Sequence, residues 1–356
     1  MVITQIRAIQ PPTPGSPDDW RTQLGQIVVE VQTDTGLCGY GVGGGGASAV
    51  HVIQTVIRDL LIGRDAETVE SLHQEMCRHT AFYGRKGLVV MAISGVDLAL
   101  WDLRGKSRDQ SVAALLADEF DVRRRLPTYM TVFDDTAAQA ALNAGHRAIK
   151  LHVERFGDRP DATAIARLVE ETRRQLGEDA EIMLDAFARW DVETSLRVAE
   201  LIAPFRVTWL EEPLPPNDLL GYARLVKESP VPIAGGEHEY LADGFQRLID
   251  EQLHAVLQPD VNWCGGLTTL IEIYKMARRA GVRVCPHRGC EPFALPAIAA
   301  LDPQPLAESP RQWFTCLAGA PVATAGVIQA SSERGFGVSV SPDLFSSTAR
   351  GGEPVS

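Results

Sequence analysis

The side chains with the clearest chemical potential in this chain are polar residues that follow short apolar segments. In chain order they are Lys150, His152, Asp185, Glu211, Glu237, Asp260, His287 and Glu308. Asp185, Glu211 and Glu237 are evenly spaced, with 26 residues from each one to the next. Even spacing predicts that repeated structural units present these three carboxylates at the same height. Three converging carboxylates suit a hard divalent cation that keeps room for water and substrate, which favours Mg²⁺ over Zn²⁺.

The apolar segments that precede these residues belong to a series of strand-then-helix units. The predicted strands cover residues 148–153, 181–184, 207–210, 231–234, 255–258 and 282–285, and the predicted helices cover residues 162–175, 192–202, 218–227, 241–251, 267–280 and 292–300. This alternation predicts a parallel barrel or a doubly wound sheet. The series does not open with a glycine-rich nucleotide turn, which favours the barrel. In such barrels the chemistry lies at the C-terminal ends of the strands, where these side chains fall.

The N-terminal third has a different pattern. Residues 3–9, 26–33 and 38–42 alternate between apolar and polar side chains, with a turn signal at Thr35-Gly36, and predict a small antiparallel sheet. Helical periodicity follows from residue 49 to about residue 117. We therefore predict an α/β chain with an α+β domain over residues 1–125 and a barrel over residues 126–321.

Composition and charge exclude several classes of function. The chain has 356 residues and a net charge of −12, from 34 basic and 46 acidic residues, which argues against a nucleic-acid partner. It has no run of 18 apolar residues and no signal-like N-terminus, so neither a membrane span nor secretion is expected. Its six cysteines are scattered without CxxC spacing, so we expect reduced thiols in a cytoplasmic protein.

Several motifs together resemble the mandelate racemase subgroup of the enolase superfamily. They are Lys150-Leu-His152, Asp185, Trp209-Leu-Glu211-Glu-Pro213, Gly236-Glu237, Gln258-Pro-Asp260 and Pro286-His287. The phrase AISGVDLALWDLRGK at residues 92–106 and Gly335-Phe-Gly337 extend the resemblance over nearly the whole chain. Residues 258–272 and the turn at residues 236–238 resemble rhamnonate dehydratase-like members most closely.

The resemblance implies a fold and an assembly. The fold is a modified (β/α)7β TIM-type barrel with an α+β capping domain, to which residues from about 322 to 356 return. Two capping loops close the barrel mouth in such proteins, and the candidates here are residues 11–19 and 42–48. A homo-oligomer, either a dimer or an octamer, is also implied.

The resemblance also assigns roles to the metal and the base. Asp185, Glu211 and Glu237 would hold Mg²⁺, as members of this superfamily pair a metal with a lysine or histidine base. His287 would remove the proton next to the substrate carboxylate, and Asp260 would accept a hydrogen bond from its far nitrogen.

Three further positions complete the implied site. Lys150 and His152 lie two apart on one strand and therefore face the same side. His152 occupies the position that faces the substrate in relatives. Glu308, if protonated, would donate a hydrogen bond to the substrate carboxylate.

Two departures from the family pattern affect the interpretation. The second strand carries Lys-x-His in place of Lys-x-Lys, so it lacks the second lysine that would act as a base opposite His287. Phe187 stands where several relatives carry a polar residue, which leaves His287 or His152 as the general acid. Glu212 is expected to point away from Glu211 and to be structural, while His238 could line the pocket or cap its loop.

The leading hypothesis is a lyase: a Mg²⁺-dependent dehydratase that converts an aldonate to a 2-keto-3-deoxy acid. The first alternative is a racemase or epimerase acting through the same enediolate, with His152 or Lys150 opposite His287. The second alternative is a non-catalytic ligand-binding barrel. The sequence identifies neither the sugar acid nor the oligomeric state.

Overall fold

The computed structural model describes residues 1–12, 24–117, 125–309, 316–341 and 343–346. Most of the candidate capping loop at residues 11–19 therefore lies outside the described residues. Within the described part of the chain, no helix has both the length and the apolar character needed to cross a bilayer.

The N-terminal part is an antiparallel three-stranded sheet covered by helices. The strands are β1 (Ile3–Ile9), β2 (Ile27–Thr33) and β3 (Cys38–Gly43), paired in that order. The helices are α1 (Gly46–Val52), which continues through a π-helical turn (Ile53–Ile57) into α2 (Arg58–Leu61), then α3 (Val69–Thr80), α4 (Leu88–Ser107) and α5 (Val112–Leu116). The predicted sheet and the helical region after residue 49 are both present.

Strand β3 packs against helix α4 at unusually close range. A Cβ atom at Gly41 would lie only 2.1 Å from the carbonyl oxygen of Gly95, so only glycine fits at this position. The alternation of Gly39, Gly41 and Gly43 leaves one face of β3 without side chains. This absence lets the almost fully buried helix α4 lie directly on the sheet.

Residues 125–308 form a barrel of eight parallel strands. They are β4 (Arg125–Val132), β5 (Ala148–His152), β6 (Glu181–Asp185), β7 (Leu210–Glu211), β8 (Ile233–Gly235), β9 (Val256–Leu257), β10 (Arg283–Val284) and β11 (Ala307–Glu308). The helices are α6 (Asp135–Asn143), α7 (Ala162–Leu176), α8 (Val192–Ile202), α9 (Leu219–Glu228), α10 (Leu241–Asp250), α11 (Gly266–Ala280) and α12 (Leu295–Leu301), with 3₁₀ turns at Glu154–Phe156 and Ala203–Phe205. This is the predicted (β/α)7β order, which confirms the fold class.

One strand and one helix were missing from the predicted series. Strand β4 and helix α6 precede the first predicted unit, and β4 pairs in parallel with both β5 and β11. The segment RLPTYMTV carries a proline and several polar residues, so it lacks the apolar run that marked the other strands. Its burial comes from the barrel around it.

The barrel interior is filled by one side chain from each strand or its immediate flank. These are Tyr129, Ala148, Met183, Trp209, Ala234, Val256, Cys285 and Leu306. Within the described residues the strand ladder is open between β10 and β11. The backbone N–H of Cys290 donates to the Glu308 carbonyl at 2.8 Å and bridges this gap.

The C-terminal segment contacts both parts of the chain. It contains β12 (Leu317–Ala318), β13 (Val327–Gln329), β14 (Ser339–Val340) and α13 (Asp343–Ser346). Strand β13 pairs with β4 of the barrel. The backbone N–H of Phe336 donates to Asp102 at 2.9 Å, and the Arg7 guanidinium lies 4.8 Å from the Phe345 ring centroid. The division into domains near residue 125 stays a proposal.

Candidate active site

The predicted site residues meet at the C-terminal end of the barrel. His152, Asp185, Glu211 and Glu308 are the last residues of strands β5, β6, β7 and β11, and Glu237, Asp260 and His287 lie within three residues of the ends of β8, β9 and β10. His152 pairs in register with Asp185, and Asp185 pairs with Glu211, which places them at the same height. All seven side chains and Lys150 are buried.

Lys150 lies inside a cluster of carboxylates. Its Nζ atom is 2.5 Å from Glu211 Oε1, 3.0 Å from Glu308 Oε1 and 3.2 Å from Asp185 Oδ2. Burial alone would lower the pKa of Lys150, but these carboxylates raise it well above its usual value. The side chain is therefore a fixed cation that neutralises part of the site.

Glu211 carries the clearest sign of excess negative charge. Its Oε2 atom accepts hydrogen bonds from Trp209 Nε1 at 3.0 Å and from Gln258 Nε2 at 2.6 Å. Burial and the neighbouring carboxylates raise the pKa of Glu211 to about 8, although Lys150 opposes this shift. One lysine thus does not balance the carboxylates around it. The donor set fits an additional hard cation such as Mg²⁺.

Glu237 lies apart from Lys150 and close to two histidines. Its Oε2 atom is 3.4 Å from His287 Nε2, and its Oε1 atom is 3.7 Å from His238 Nδ1. Among the described residues, the group whose ligand atoms all lie within 4.8 Å of one another is a different one, Glu212, Glu237 and His238. Glu212 already accepts a 2.7 Å hydrogen bond from His238 Nδ1. We favour the set of three carboxylates for Mg²⁺, because histidine suits softer metals.

His287 and Asp260 form a hydrogen-bonded pair. Nδ1 of His287 lies 2.8 Å from Asp260 Oδ2, while Nε2 faces Glu237 and lies 3.9 Å from Glu308. Burial would lower the pKa of His287, but the charge of Glu237 and the Asp260 hydrogen bond raise it. This orientation leaves Nε2 free of the dyad and turned toward the carboxylates.

Glu308 is held by partners that the sequence did not single out. Thr131 Oγ1 donates to Glu308 Oε1 at 2.5 Å, and the backbone N–H of Arg288 donates to Oε2 at 2.7 Å. Thr131 was missed because its strand β4 was not predicted. Arg288 could have been noticed as a second basic residue directly after His287.

The side of the site next to β5 is largely aromatic. The His152 ring lies between Phe133 and Phe187, with each pair of ring centroids 5.2 Å apart. His152 Nε2 lies 3.9 Å from Asp185, while Nδ1 is buried and has no hydrogen-bond partner among the described residues. His152 therefore has one ring nitrogen for which the described residues supply no partner.

The capping region reaches the barrel mouth through the loop at residues 42–48. A Cβ atom at Gly44 would lie 2.8 Å from Trp263 Nε1, so this loop is in close contact with the indole. The Trp263 ring centroid lies 5.6 Å from that of His287 and 5.8 Å from that of His238. The loop thus approaches the candidate base with a single side chain between them.

Comparisons with known proteins agree with this geometry. The profile described as "Enolase C-terminal domain-like" matches residues 134–344, and "Mandelate racemase / muconate lactonizing enzyme, N-terminal domain" matches residues 10–117. An L-rhamnonate dehydratase of Saccharopolyspora erythraea is 34% identical over 90% of this chain and 84% of its own.

Two solved structures extend the comparison. A rhamnonate dehydratase from Gibberella zeae complexed with Mg has a TM-score of 0.84 and 27% identity, with coverage of 96% of this chain and 95% of its own. A racemase from Streptomyces coelicolor A3(2) with bound magnesium has a TM-score of 0.86 and 28% identity, with coverage of 97% and 99%.

Proposed function

Because this chain belongs to the enolase superfamily, in its mandelate racemase/muconate lactonizing enzyme group, we propose that it is a lyase that dehydrates a sugar acid with Mg²⁺ as its cofactor. The substrate is an aldonate, and the product is the corresponding 2-keto-3-deoxy acid. The observation that carries this proposal is the His287–Asp260 pair facing a buried, incompletely neutralised group of carboxylates. Relatives named as dehydratases support it.

Asp185, Glu211 and Glu237 would hold the metal. When bound, Mg²⁺ would stabilise the negative charge that develops on the substrate carboxylate as the neighbouring proton leaves. Lys150 contributes a fixed positive charge to the same region, through its contacts with Asp185 and Glu211. These residues thereby make a weakly acidic carbon–hydrogen bond accessible to a base.

The chain's own residues perform the proton transfers. His287 removes the α-proton through Nε2, while Asp260 accepts from Nδ1 and stabilises the charge that the imidazole gains. The bond to the β-hydroxyl then breaks, and His287 or His152 returns a proton to the departing oxygen, so that water leaves. The resulting enol becomes the 2-keto-3-deoxy acid. Glu308 donates to the substrate carboxylate if it is protonated.

Racemisation or epimerisation is the second candidate. It needs a base on each face of the substrate, and Lys150 is occupied by three carboxylates. His152 alone remains on that side, and its unpartnered Nδ1 atom is the observation that keeps this alternative open. The non-catalytic barrel is disfavoured, because the carboxylates, the His–Asp pair and Glu308 are all retained.

The location and assembly remain proposals. All six cysteines are free thiols, which fits the reducing environment of the cytoplasm. We propose a homo-oligomer, a dimer or an octamer, from the resemblance alone.

A substrate screen tests the proposed function. The purified chain is incubated with Mg²⁺ and a panel of aldonic and aldaric acids, and 2-keto acid formation is measured. We expect turnover of at least one aldonate, and loss of turnover after exhaustive chelation or in Glu211→Gln. Full activity after chelation would exclude the metal assignment.

The same panel in D₂O separates the alternatives. Exchange of the α-proton with loss of water supports dehydration, and exchange with inversion of configuration supports racemisation. Absence of exchange with every acid would support a ligand-binding barrel.

A further inference from the structure

Arg288 shares the carboxylate that orients the candidate base. Its Nε atom donates to Asp260 Oδ2 at 2.9 Å, and its Nη2 atom lies 2.8 Å from the same oxygen. That oxygen also accepts from His287 Nδ1 at 2.8 Å. The other oxygen, Oδ1, accepts from the backbone N–H of Asn262 at 2.8 Å. Asp260 is therefore held through both oxygens, by the Arg288 Nε atom and the His287 imidazole at Oδ2 and by the Asn262 backbone at Oδ1.

Arg288 is itself held on several sides. It is only 2% exposed, and its guanidinium carbon lies 5.0 Å from the centroid of the Trp263 ring. Its Nε atom is 3.7 Å from Glu291 Oε1, and Glu291 Oε2 accepts from Asn262 Nδ2 at 3.0 Å. Asp260, Arg288, Glu291 and Asn262 thus form a buried network next to His287, in which Asn262 Oδ1, Arg288 Nη2 and Glu291 Oε1 have no hydrogen-bond partner among the described residues. Hydrogen bonds are stronger in a buried network than in water, so the bonds that Asp260 accepts from Arg288 and Asn262 restrict its orientation.

The backbone of Arg288 makes a second connection. Its φ angle is +53°, in the left-handed region, and its N–H donates to Glu308 Oε2 at 2.7 Å. A side chain and a backbone group of one residue therefore hold Asp260 on one side of His287 and Glu308 on the other. Strained backbone of this kind is often found at functional sites.

We propose that Arg288 is a positioning residue, which holds the Asp260 carboxylate in the one orientation that fixes His287 Nδ1 and turns Nε2 toward the substrate. The expected effect of Arg288 on kcat rests on the proposed function, whereas its expected effect on the His287–Asp260 hydrogen bond does not. Without the guanidinium, Oδ2 of Asp260 would keep only the imidazole as a donor. The carboxylate and the imidazole would then adopt several orientations relative to each other.

A spectroscopic test needs no substrate. Proton NMR of the whole protein is used to find the downfield resonance of the proton between His287 Nδ1 and Asp260, assigned by its disappearance in His287→Asn. We expect this resonance to persist in Arg288→Lys, which keeps a cation, and to disappear or broaden in Arg288→Met. Circular dichroism verifies that each variant is folded.

Kinetics on an accepted substrate give the second test. We expect kcat of Arg288→Met to fall about 10- to 100-fold, the usual effect of losing a group that orients a catalytic residue, with little change in KM. Arg288→Lys should recover part of this loss. The matched control is Arg173→Met, because Arg173 is another buried arginine, whose Nε and Nη1 donate to backbone carbonyls of Phe205 and Ala180 far from the site. Its kcat should stay at the wild-type value.

A double variant shows whether Arg288 acts through Asp260. In the Asp260→Asn background, Arg288→Met should cause little further loss of kcat, because the two changes remove the same interaction. Additive losses, or an unchanged resonance in folded Arg288→Met, would overturn the proposal. If no acid is turned over by the wild type, the proposed function fails, and the resonance still decides the role of Arg288.

Discussion

At the level of single residues, the His287–Asp260 pair gives the most direct prediction. His287→Asn should lose about 10²- to 10⁴-fold in turnover, because a general base typically contributes that much, while Mg²⁺ binding persists. Asp260→Asn should lose much of the activity and keep the fold. The measurement is α-proton exchange in D₂O on an accepted substrate.

The outcome that would contradict this prediction concerns the face of the substrate from which the α-proton is removed. If His287→Asn exchanges the α-proton at the wild-type rate, the base lies on the opposite face, at His152, because three carboxylates occupy Lys150. The substrate would then belong to a different stereochemical class.

Lys150 leads to a prediction about stability. Lys150→Met would leave Asp185, Glu211 and Glu308 without the cation that they surround, so we expect the metal-free protein to lose about 3 to 5 kcal/mol of unfolding free energy. Added Mg²⁺ should restore part of this loss by binding the folded state. Urea denaturation with and without Mg²⁺ measures both effects.

Lys275→Met serves as the comparison for Lys150. Lys275 is more than half exposed and pairs with Glu272 on the surface. Its replacement should change the unfolding free energy by less than about 1 kcal/mol. Equal effects of the two changes would contradict a buried countercharge at Lys150.

At the level of elements, the loop between β3 and α1 is predicted to control access to the site. Gly44→Val would place a side chain against Trp263, so the loop must shift away from the barrel mouth. We expect a raised KM for the accepted sugar acid with a smaller change in the unfolding free energy. Ala47→Val is the matched control, because Ala47 is exposed three residues away. An unchanged KM in Gly44→Val would remove this loop from substrate binding.

The helix-facing side of the barrel contains a histidine that should make stability depend on pH. His254 packs its ring 4.6 Å from the Tyr222 centroid, and burial lowers the pKa of His254 below its usual 6.5. As the pH falls below about 6.5, His254 therefore takes up a proton in the unfolded protein before it does so in the folded protein. The folded state then loses stability, by up to about 1.4 kcal/mol for each pH unit, until the folded pKa is reached.

Denaturant unfolding at several pH values tests this dependence. The decline below pH 6.5 should be shallower in His254→Gln than in the wild type. His51→Gln, at an exposed position, should retain the wild-type decline. If His254→Gln also retains it, the pH dependence originates elsewhere.

At the level of the whole molecule, contacts from helix α4 and helix α3 anchor the capping region to the barrel. Asp97 accepts from Thr268 Oγ1 at 2.6 Å and from the Thr268 backbone N–H at 3.0 Å, and Trp101 Nε1 donates to Thr268 Oγ1 at 2.9 Å. His73 Nε2 lies 2.9 Å from the Gly265 carbonyl oxygen. These bonds surround the start of helix α11. The two parts should therefore unfold together in one transition.

Asp97→Ala tests this coupling. It should cost about 1.5 to 3 kcal/mol, because it removes buried hydrogen bonds to a carboxylate. Asp59→Ala, at an exposed surface position, should change stability by less than about 0.5 kcal/mol. Unfolding of the wild type is monitored by intrinsic fluorescence and by circular dichroism. Two separate unfolding transitions would contradict the coupling.

The sequence by itself determined the order of the elements and the residues that end the barrel strands. Apolar runs, turn signals and the even spacing of Asp185, Glu211 and Glu237 are local features, so they can be read along the chain. The Asp260–His287 contact was also predictable, since adjacent strand ends lie within reach of each other. Strand β4 was not predictable from the sequence, because its burial comes from neighbours that are distant in the chain.

Only the tertiary structure decided how the polar side chains share their partners. Lys150 contacts three carboxylates from three other strands, and Glu308 is held by Thr131, which is 177 residues away in the chain. Glu212 was predicted to be structural, and its Oε2 atom accepts a 2.7 Å hydrogen bond from His238 Nδ1. These contacts exist because barrel closure brings all strand ends into one small buried volume. There each polar group pairs with whichever partner lies nearest in space, and spacing along the chain does not encode that choice.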